Sequence, residues 1–226
     1  DHPAITKLIE LAGYDRVWSY GDAYVYRNIL SYFGLYSAEG YDALYSRRFG
    51  ELMHSIRING TISDHFARND ADLSETGQYE LMERNSYRLK IMSLTGTKYI
   101  LEYKIKDETD PMLRFPNNLF SLAWQNDKWR IWQYLNSLPR AFLVHDFIID
   151  KDRQKIANLI YNPKIDLSKK VILEEDLKDF DLGNLNEFSL PANNSQVEII
   201  KYDPNEIRFN ISTNSPGFLF LSDTYY

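Results

Sequence analysis

Two short clusters in this 226-residue chain carry residue types suited to binding chemistry. The first is Ser37-Ala38-Glu39-Gly40-Tyr41-Asp42, just ahead of an apolar-periodic stretch. Asp42 has two readings there. It can cap the coming helix by accepting from free backbone N–H groups, or it can line a cleft with Tyr41 and bind hydroxyls. The second cluster is Asn136-Ser137-Leu138-Pro139-Arg140-Ala141-Phe142. Pro139 fixes the backbone, and Arg140 presents a planar fork suited to phosphate or carboxylate. The competing reading of Arg140 is an internal Arg–Asp bridge between the two halves of the chain, with Asp42 as one candidate partner.

Catalytic signals are otherwise thin. There is no Gly-x-Ser-x-Gly elbow, no phosphate-binding glycine loop and no His-Glu-x-x-His. His2, His54, His65 and His145 are far apart, and none has a second ligand at metal-binding spacing. Asp70, Asp72 and Ser74 begin like a calcium loop, but Glu75 stands where glycine is needed and Leu81 where the bidentate acid belongs. The acidic run Glu174-Glu175-Asp176, with Asp179 and Asp181, reads as a solvated face, because acid–base catalysis needs carboxylates that converge in a pocket. With no cysteine, disulfides, thiol catalysis and Cys-ligated metals are excluded. No metal site and no cofactor are expected.

Net charge of −6 argues against nucleic acid, whose binding rests on phosphate neutralisation by Lys and Arg. No apolar run approaches the length of a membrane-spanning helix. The 17 tyrosines and 4 tryptophans suit sugar-stacking or interface surfaces, and equally suit the strands of a β-rich protein.

The elements that must position these residues are well punctuated. Pro3 opens a helix with Ala4, Ile5, Leu8, Ile9 and Ala12 on one face, ended by Gly13. Arg16–Tyr20 alternates as a short strand, and residues 28–40 read as an ordered loop or broken helix. Leu44, Tyr45, Arg48, Phe49, Leu52, Met53 and Ile56 give a helical period over 43–56. Residues 58–80 are dominated by charge and read as a mobile surface loop leading into a helix at about 79–94. Tyr99, Leu101, Tyr103 and Ile105 alternate with Lys98, Glu102 and Lys104, which predicts a half-buried strand with the charged residues outward. Residues 119–124 and 128–135 form a hairpin across Gln125-Asn126-Asp127, and 140–146 is a further strand. Asp150 caps a helix through Ile160. Strands follow at 171–173, 197–202 and 206–213.

The last apolar run, Phe218–Leu221, follows Pro216-Gly217 and reads as a strand buried on both faces. Because such a strand needs neighbours, the chain is expected to be a piece of a larger protein. The fold expected is α+β: a mixed α/β region over 1–148, a helical connector over 149–165, and a mostly antiparallel, partly sandwich-like region over 166–226.

These segments, in this order, resemble the extracytoplasmic C-terminal region of YfhO-like bacterial membrane proteins, a polytopic family related to the GT-C glycosyltransferases. The resemblance rests on His2-Pro3-Ala4, Tyr14-Asp15-Arg16-Val17, Asn28, Gly40-Tyr41-Asp42-Ala43-Leu44 and Arg47-Arg48-Phe49. It continues through Leu94-Thr95-Gly96-Thr97-Lys98-Tyr99-Ile100, Leu138–Val144, Tyr202-Asp203-Pro204-Asn205-Glu206-Ile207 and the run from Pro216. Residues 64–80 and 174–190 have no counterpart in it.

The resemblance implies a parent enzyme that uses a lipid-phosphate-linked sugar to modify cell-envelope polymers or lipids. It also implies that the catalytic carboxylate and the donor site lie in the membrane region. This piece is then catalytically silent: it caps the membrane site and positions the acceptor, with Tyr41, Asp42, Arg48, Asn136 and Arg140 as acceptor-binding candidates. Its implied partners are the transmembrane region of its own parent and a cell-envelope glycopolymer or lipid-linked sugar, at the outer face of a bacterial cell membrane. A stand-alone carbohydrate- or protein-binding module is the alternative, and a hydrolase using paired carboxylates ranks third.

Overall fold

The structure, a computed structural model, describes residues 2–23, 29–40, 46–64, 71–74, 79–175 and 195–223. The chain divides into two compact units, one running to Leu138 and one from Pro139 to Asp223.

The first unit is built on a four-stranded sheet. Its elements are α1 (Pro3–Ala12), β1 (Arg16–Tyr20), α2 (Ile29–Tyr32), α3 (Arg47–Ser55), α4 (Ser86–Leu94), β2 (Thr97–Tyr103), β3 (Phe120–Gln125) and β4 (Trp129–Tyr134). The strand order is β1-β2-β4-β3, with β1 and β2 parallel and the other pairs antiparallel. A parallel pair needs a long crossover, and the segment carrying α2, α3 and α4 supplies it. The β3–β4 turn is closed by Asn126, whose Oδ1 accepts from the Lys128 and Trp129 N–H groups at 2.9 and 2.8 Å.

Strand alternation gives this sheet two different faces. Val17, Tyr99, Leu101 and Ile131 share one apolar cluster with Ala4, Leu8 and Ala12 of α1, whose four-residue spacing makes a single stripe. Trp18, Tyr20, Ile100, Glu102, Arg130, Trp132 and Tyr134 occupy the alternate positions, and all are buried. The expectation that Glu102 faces water is therefore wrong. β2 lies between two strands and is covered on both faces, so its alternation separates an apolar layer from a polar buried layer.

Other differences are local. Ser46 caps α3 by accepting from Phe49 N–H at 3.3 Å, so the described helix begins at Arg47; residues 43–45 lie outside the described residues. α4 begins at Ser86, behind the 3₁₀ turn Met82–Arg84, because the Asn85 side chain caps it through Arg88 N–H at 2.9 Å. Within the stretch expected as a mobile surface loop, Ala71, Asp72 and Leu73 are buried. They are tied down through Leu73, which donates its N–H to Glu39 Oε1 at 2.9 Å and accepts from Arg88 Nε at 2.7 Å. Residues 65–70 and 75–78 lie outside the described residues.

The second unit contains β5 (Ala141–Val144), β6 (Asp146–Ile149), α5 (Arg153–Tyr161), β7 (Lys170–Leu173), β8 (Gln196–Asp203), β9 (Glu206–Ser212) and β10 (Phe218–Leu221). β5 pairs antiparallel with β10, β8 antiparallel with β9, and β6 parallel with β7 across the α5 connection. The chain is α+β, with mostly antiparallel pairing in this unit. The single strand expected over 140–146 breaks at His145, and the two halves take different partners. Asp152, not Asp150, caps α5, accepting from Lys155 N–H at 2.9 Å. β10 is half-buried instead of covered on both faces; Leu219 keeps 38% of its surface exposed.

Candidate functional site

Among the described residues, a concentration of buried charge lies under the polar layer of the first sheet. Glu102 on β2 stands opposite Arg130 on β4 in the strand register, and Arg130 Nη1 lies 3.3 Å from Glu102 Oε2. Two residues further along β4, on the same face, Trp132 donates its indole N–H to the same oxygen at 2.7 Å. Arg114, in the turn after the 3₁₀ segment Pro111–Leu113, reaches the other Glu102 oxygen through Nη2. The circuit closes on Glu108, which takes Arg114 Nη2 at 2.6 Å and Arg130 Nη1 at 2.7 Å.

This geometry decides what the cluster can do. Two carboxylates share two guanidiniums, so charge is balanced inside the site. Burial pushes the Glu102 carboxyl above its ordinary range, against the opposing pull of Trp132, Arg114 and Arg130. A general base has to be open to substrate, and every carboxylate oxygen here already faces at least one N–H donor inside the cluster. The cluster is a buried girder locking β2, β4 and the 108–114 segment together. It does not supply the free carboxylate pair that the hydrolase reading requires.

An aromatic layer seals it. Phe115 stacks on Trp132 with centroids 4.8 Å apart and meets Tyr20 edge-on at 5.3 Å. The Arg114 guanidinium lies over the Tyr79 and Tyr20 rings at 5.4 and 5.9 Å. Tyr20 donates to Glu80 O at 2.7 Å, while Tyr79 OH accepts from Asp22 N–H at 2.9 Å. Burial raises both phenols: Tyr79 is pushed up to about 12, aided by its bond to the Asp22 side chain, and Tyr20 moves further in the same direction. Arg88 joins from α4, pairing with Glu80 and lying 5.8 Å from the Trp18 ring centroid.

The residues singled out in the sequence are placed as follows. Tyr41 and Asp42 lie outside the described residues. Arg48 is on the exposed side of α3, with Nη1 3.4 Å from Glu51 Oε2. Asn136 lies in the turn after β4, where its carbonyl accepts from Ser93 Oγ at 2.6 Å. Arg140 is buried at the start of β5, and its fork is turned inward. Its Nε donates to Ser222 Oγ at 2.9 Å and its Nη2 to Asp223 Oδ1 at 2.6 Å and Tyr202 OH at 2.5 Å. The internal Arg–Asp bridge is real, and the partner is Asp223 within the same unit.

Sequence reasoning missed one surface. Tyr32 on α2 is 87% exposed, with Ile29 at 46% and Phe33 at 42% beside it. The Tyr32 and Phe33 rings meet edge-on at 5.6 Å. Val17 N–H donates to Tyr36 O at 2.8 Å, which holds this segment along β1, and the Tyr36 and Tyr14 rings lie 6.5 Å apart. The available signal was Ile29-Leu30-Ser31-Tyr32-Phe33, in which Leu30 alone is fully buried.

Among the described residues, no group of three or more His, Asp or Glu side chains could hold a metal ion. None of the described helices is long and apolar enough to cross a membrane. Compared with known proteins, the chain matches no family model, no curated protein and no solved structure.

Proposed function

We propose that this chain is a soluble extracytoplasmic part of a polytopic bacterial membrane protein resembling the lipid-linked-sugar glycosyltransferases. In this reading it caps the membrane-embedded active site and positions a cell-envelope acceptor, and chemistry is left to the parent. The observation that carries it is the division of labour in the first unit. Buried carboxylates are closed into arginine pairs, while large aromatic side chains are left in water at Tyr32 and Phe33. Exposed tyrosines suit glycan faces and membrane-interface chemistry, where one end is apolar and the other wet. Tyr41, Asp42, Arg48 and Asn136 form the proposed acceptor-facing set. Arg140 leaves it, because its donors are spent on Ser222, Tyr202 and Asp223.

The test is glycan transfer by the full-length protein carrying Tyr32→Ser with Phe33→Ser, and separately Asp42→Ala. Reduced envelope glycosylation at unchanged membrane abundance supports the reading; wild-type transfer by both variants removes acceptor positioning. A stand-alone binding module would draw on the same aromatic edge. Multiple hydrophobic spans in the encoding gene upstream of residue 1 favour the membrane reading, and a lone signal peptide favours the module.

A further inference from the structure

Of the ten glycines in the chain, only Gly60 follows an asparagine. Asn59-Gly60 lies in the turn that ends α3. Asn59 is exposed and sits at φ +54°, the left-handed position where helices commonly stop on Gly or Asn. Gly60 follows at φ +78° and is buried; its N–H donates at 2.8 Å to the carbonyl of Ser55, the last residue of α3. Arg57 N–H donates to His54 O at 3.0 Å and Thr61 N–H to Ile58 O at 3.2 Å, so the turn is held on both sides of Asn59.

An Asn–Gly pair carries its own chemistry. The amide nitrogen of Gly60, once deprotonated by solvent base, can attack the side-chain carbonyl carbon of Asn59. A carbon–nitrogen bond forms, the Cγ–Nδ2 bond breaks, and the side-chain nitrogen leaves as ammonia. Water then opens the cyclic imide at either carbonyl, giving aspartate or isoaspartate. Glycine favours the ring because no Cβ crowds it. The net exchange consumes water and releases ammonia, with no other reactant.

The turn withholds that reaction. While its N–H is bonded to Ser55 O, the Gly60 nitrogen is shielded from base and fixed on the helix end. Attack has to wait for local opening of the turn. Conversion then changes the turn itself. An aspartate at position 59 puts negative charge beside the helix C-terminus, where the dipole disfavours it. An isoaspartate runs the main chain through the side chain, adds a methylene, and pulls the Gly60 N–H off Ser55 O.

We propose that Asn59-Gly60 is a fold-gated self-modification site, intact while the α3 turn is closed and converted to aspartate or isoaspartate when it opens. The conversion is one-way and loosens the end of α3, the helix that carries Arg48. This site is independent of the membrane reading.

Peptide mapping by mass spectrometry tests it on the whole chain, incubated in mildly alkaline buffer both folded and in guanidinium chloride. In denaturant, the peptide holding Asn59 should gain the mass of an amide-to-acid exchange faster than any other asparagine peptide. In the folded chain the same gain should be slower by about tenfold or more, because reaction waits on opening. Asn59→Gly keeps a residue suited to the left-handed turn, so the chain should stay folded and lose the mass gain at this position. Wild type aged until position 59 is converted should melt below fresh protein. Equal rates in the folded and unfolded chain overturn the gate, and no mass gain at Asn59 in denaturant overturns the site. An unchanged Tm after full conversion overturns the loosening of α3.

Discussion

Trp132 and Arg130 approach one oxygen of the same buried carboxylate, the indole N–H at 2.7 Å and the guanidinium at 3.3 Å from Glu102 Oε2. Both donors stand on β4 and the acceptor on β2. A polar network is thereby made part of the sheet's own register and not an addition to its surface. Its consequences are energetic before they are functional.

Arg114→Met should be severely destabilising. It removes one of two guanidiniums and leaves Glu102 and Glu108 to share Arg130. Breaking a buried ion network from one side costs about 3–5 kcal/mol, because the remaining charge stays buried. Urea denaturation measures it, with Lys7→Met as the control. That residue forms an exposed pair with Glu10, and its loss should change stability by less than about 1 kcal/mol.

Alkaline stability should fall through ionisation of buried phenols. Tyr79 and Tyr134 are each raised to about 12 and Tyr20 further, all chiefly by burial. A raised folded value means that the native chain holds protons the unfolded chain has lost. Stability is therefore complete below the ordinary tyrosine value near 10 and declines as pH climbs towards the folded values. Ultraviolet titration of tyrosinate should show a fraction that ionises only at about pH 12 or on unfolding. Complete ionisation of all tyrosines near pH 10 in a folded chain would contradict this burial.

Gly21→Ala and Gly34→Ala should differ in size. Both glycines have positive φ, +58° and +72°. At Gly34 a Cβ meets nothing within 4 Å, so only the backbone penalty of about 1–2 kcal/mol applies. At Gly21 the Cβ would fall 2.4 Å from the Tyr79 ring, which must also move off Asp22 N–H. Gly21→Ala should be the less stable of the two in the same denaturation experiment.

Tyr32→Ser with Phe33→Ser should leave folding within about 0.5 kcal/mol of the wild type, since exposed side chains contribute little. Any loss of envelope glycosylation in the full-length protein then reports on the surface and not on the fold. A large drop in stability would instead assign these rings to packing.

Much of the fold is legible in the sequence, because its signals are local. Pro3 and Gly13 bracket α1, Asn126 marks the β3–β4 turn, and Ile207, Phe209 and Ile211 alternate along β9. What is hidden depends on partners distant in sequence. Glu102 and Asp72 read as solvent-facing charges until Arg114 and Arg57 are placed beside them. Arg140 is the same case: its residue type suits an anion, but Asp223 answers it from 83 positions away. His145 looked ordinary because its partners, Ser195 and Pro216, are aligned only by strand pairing. Exposure at Tyr32 could not be read at all, since aromatic residues serve cores and surfaces alike.

The most direct test of the central proposal is where the full-length gene product resides. Bacterial cells that express it should be fractionated, with carbonate washing of membranes and protease added to spheroplasts. The account predicts a protein that stays in the washed membrane while this segment is digested from outside. Recovery of the segment in the soluble fraction, or protection from external protease in intact spheroplasts, would contradict it.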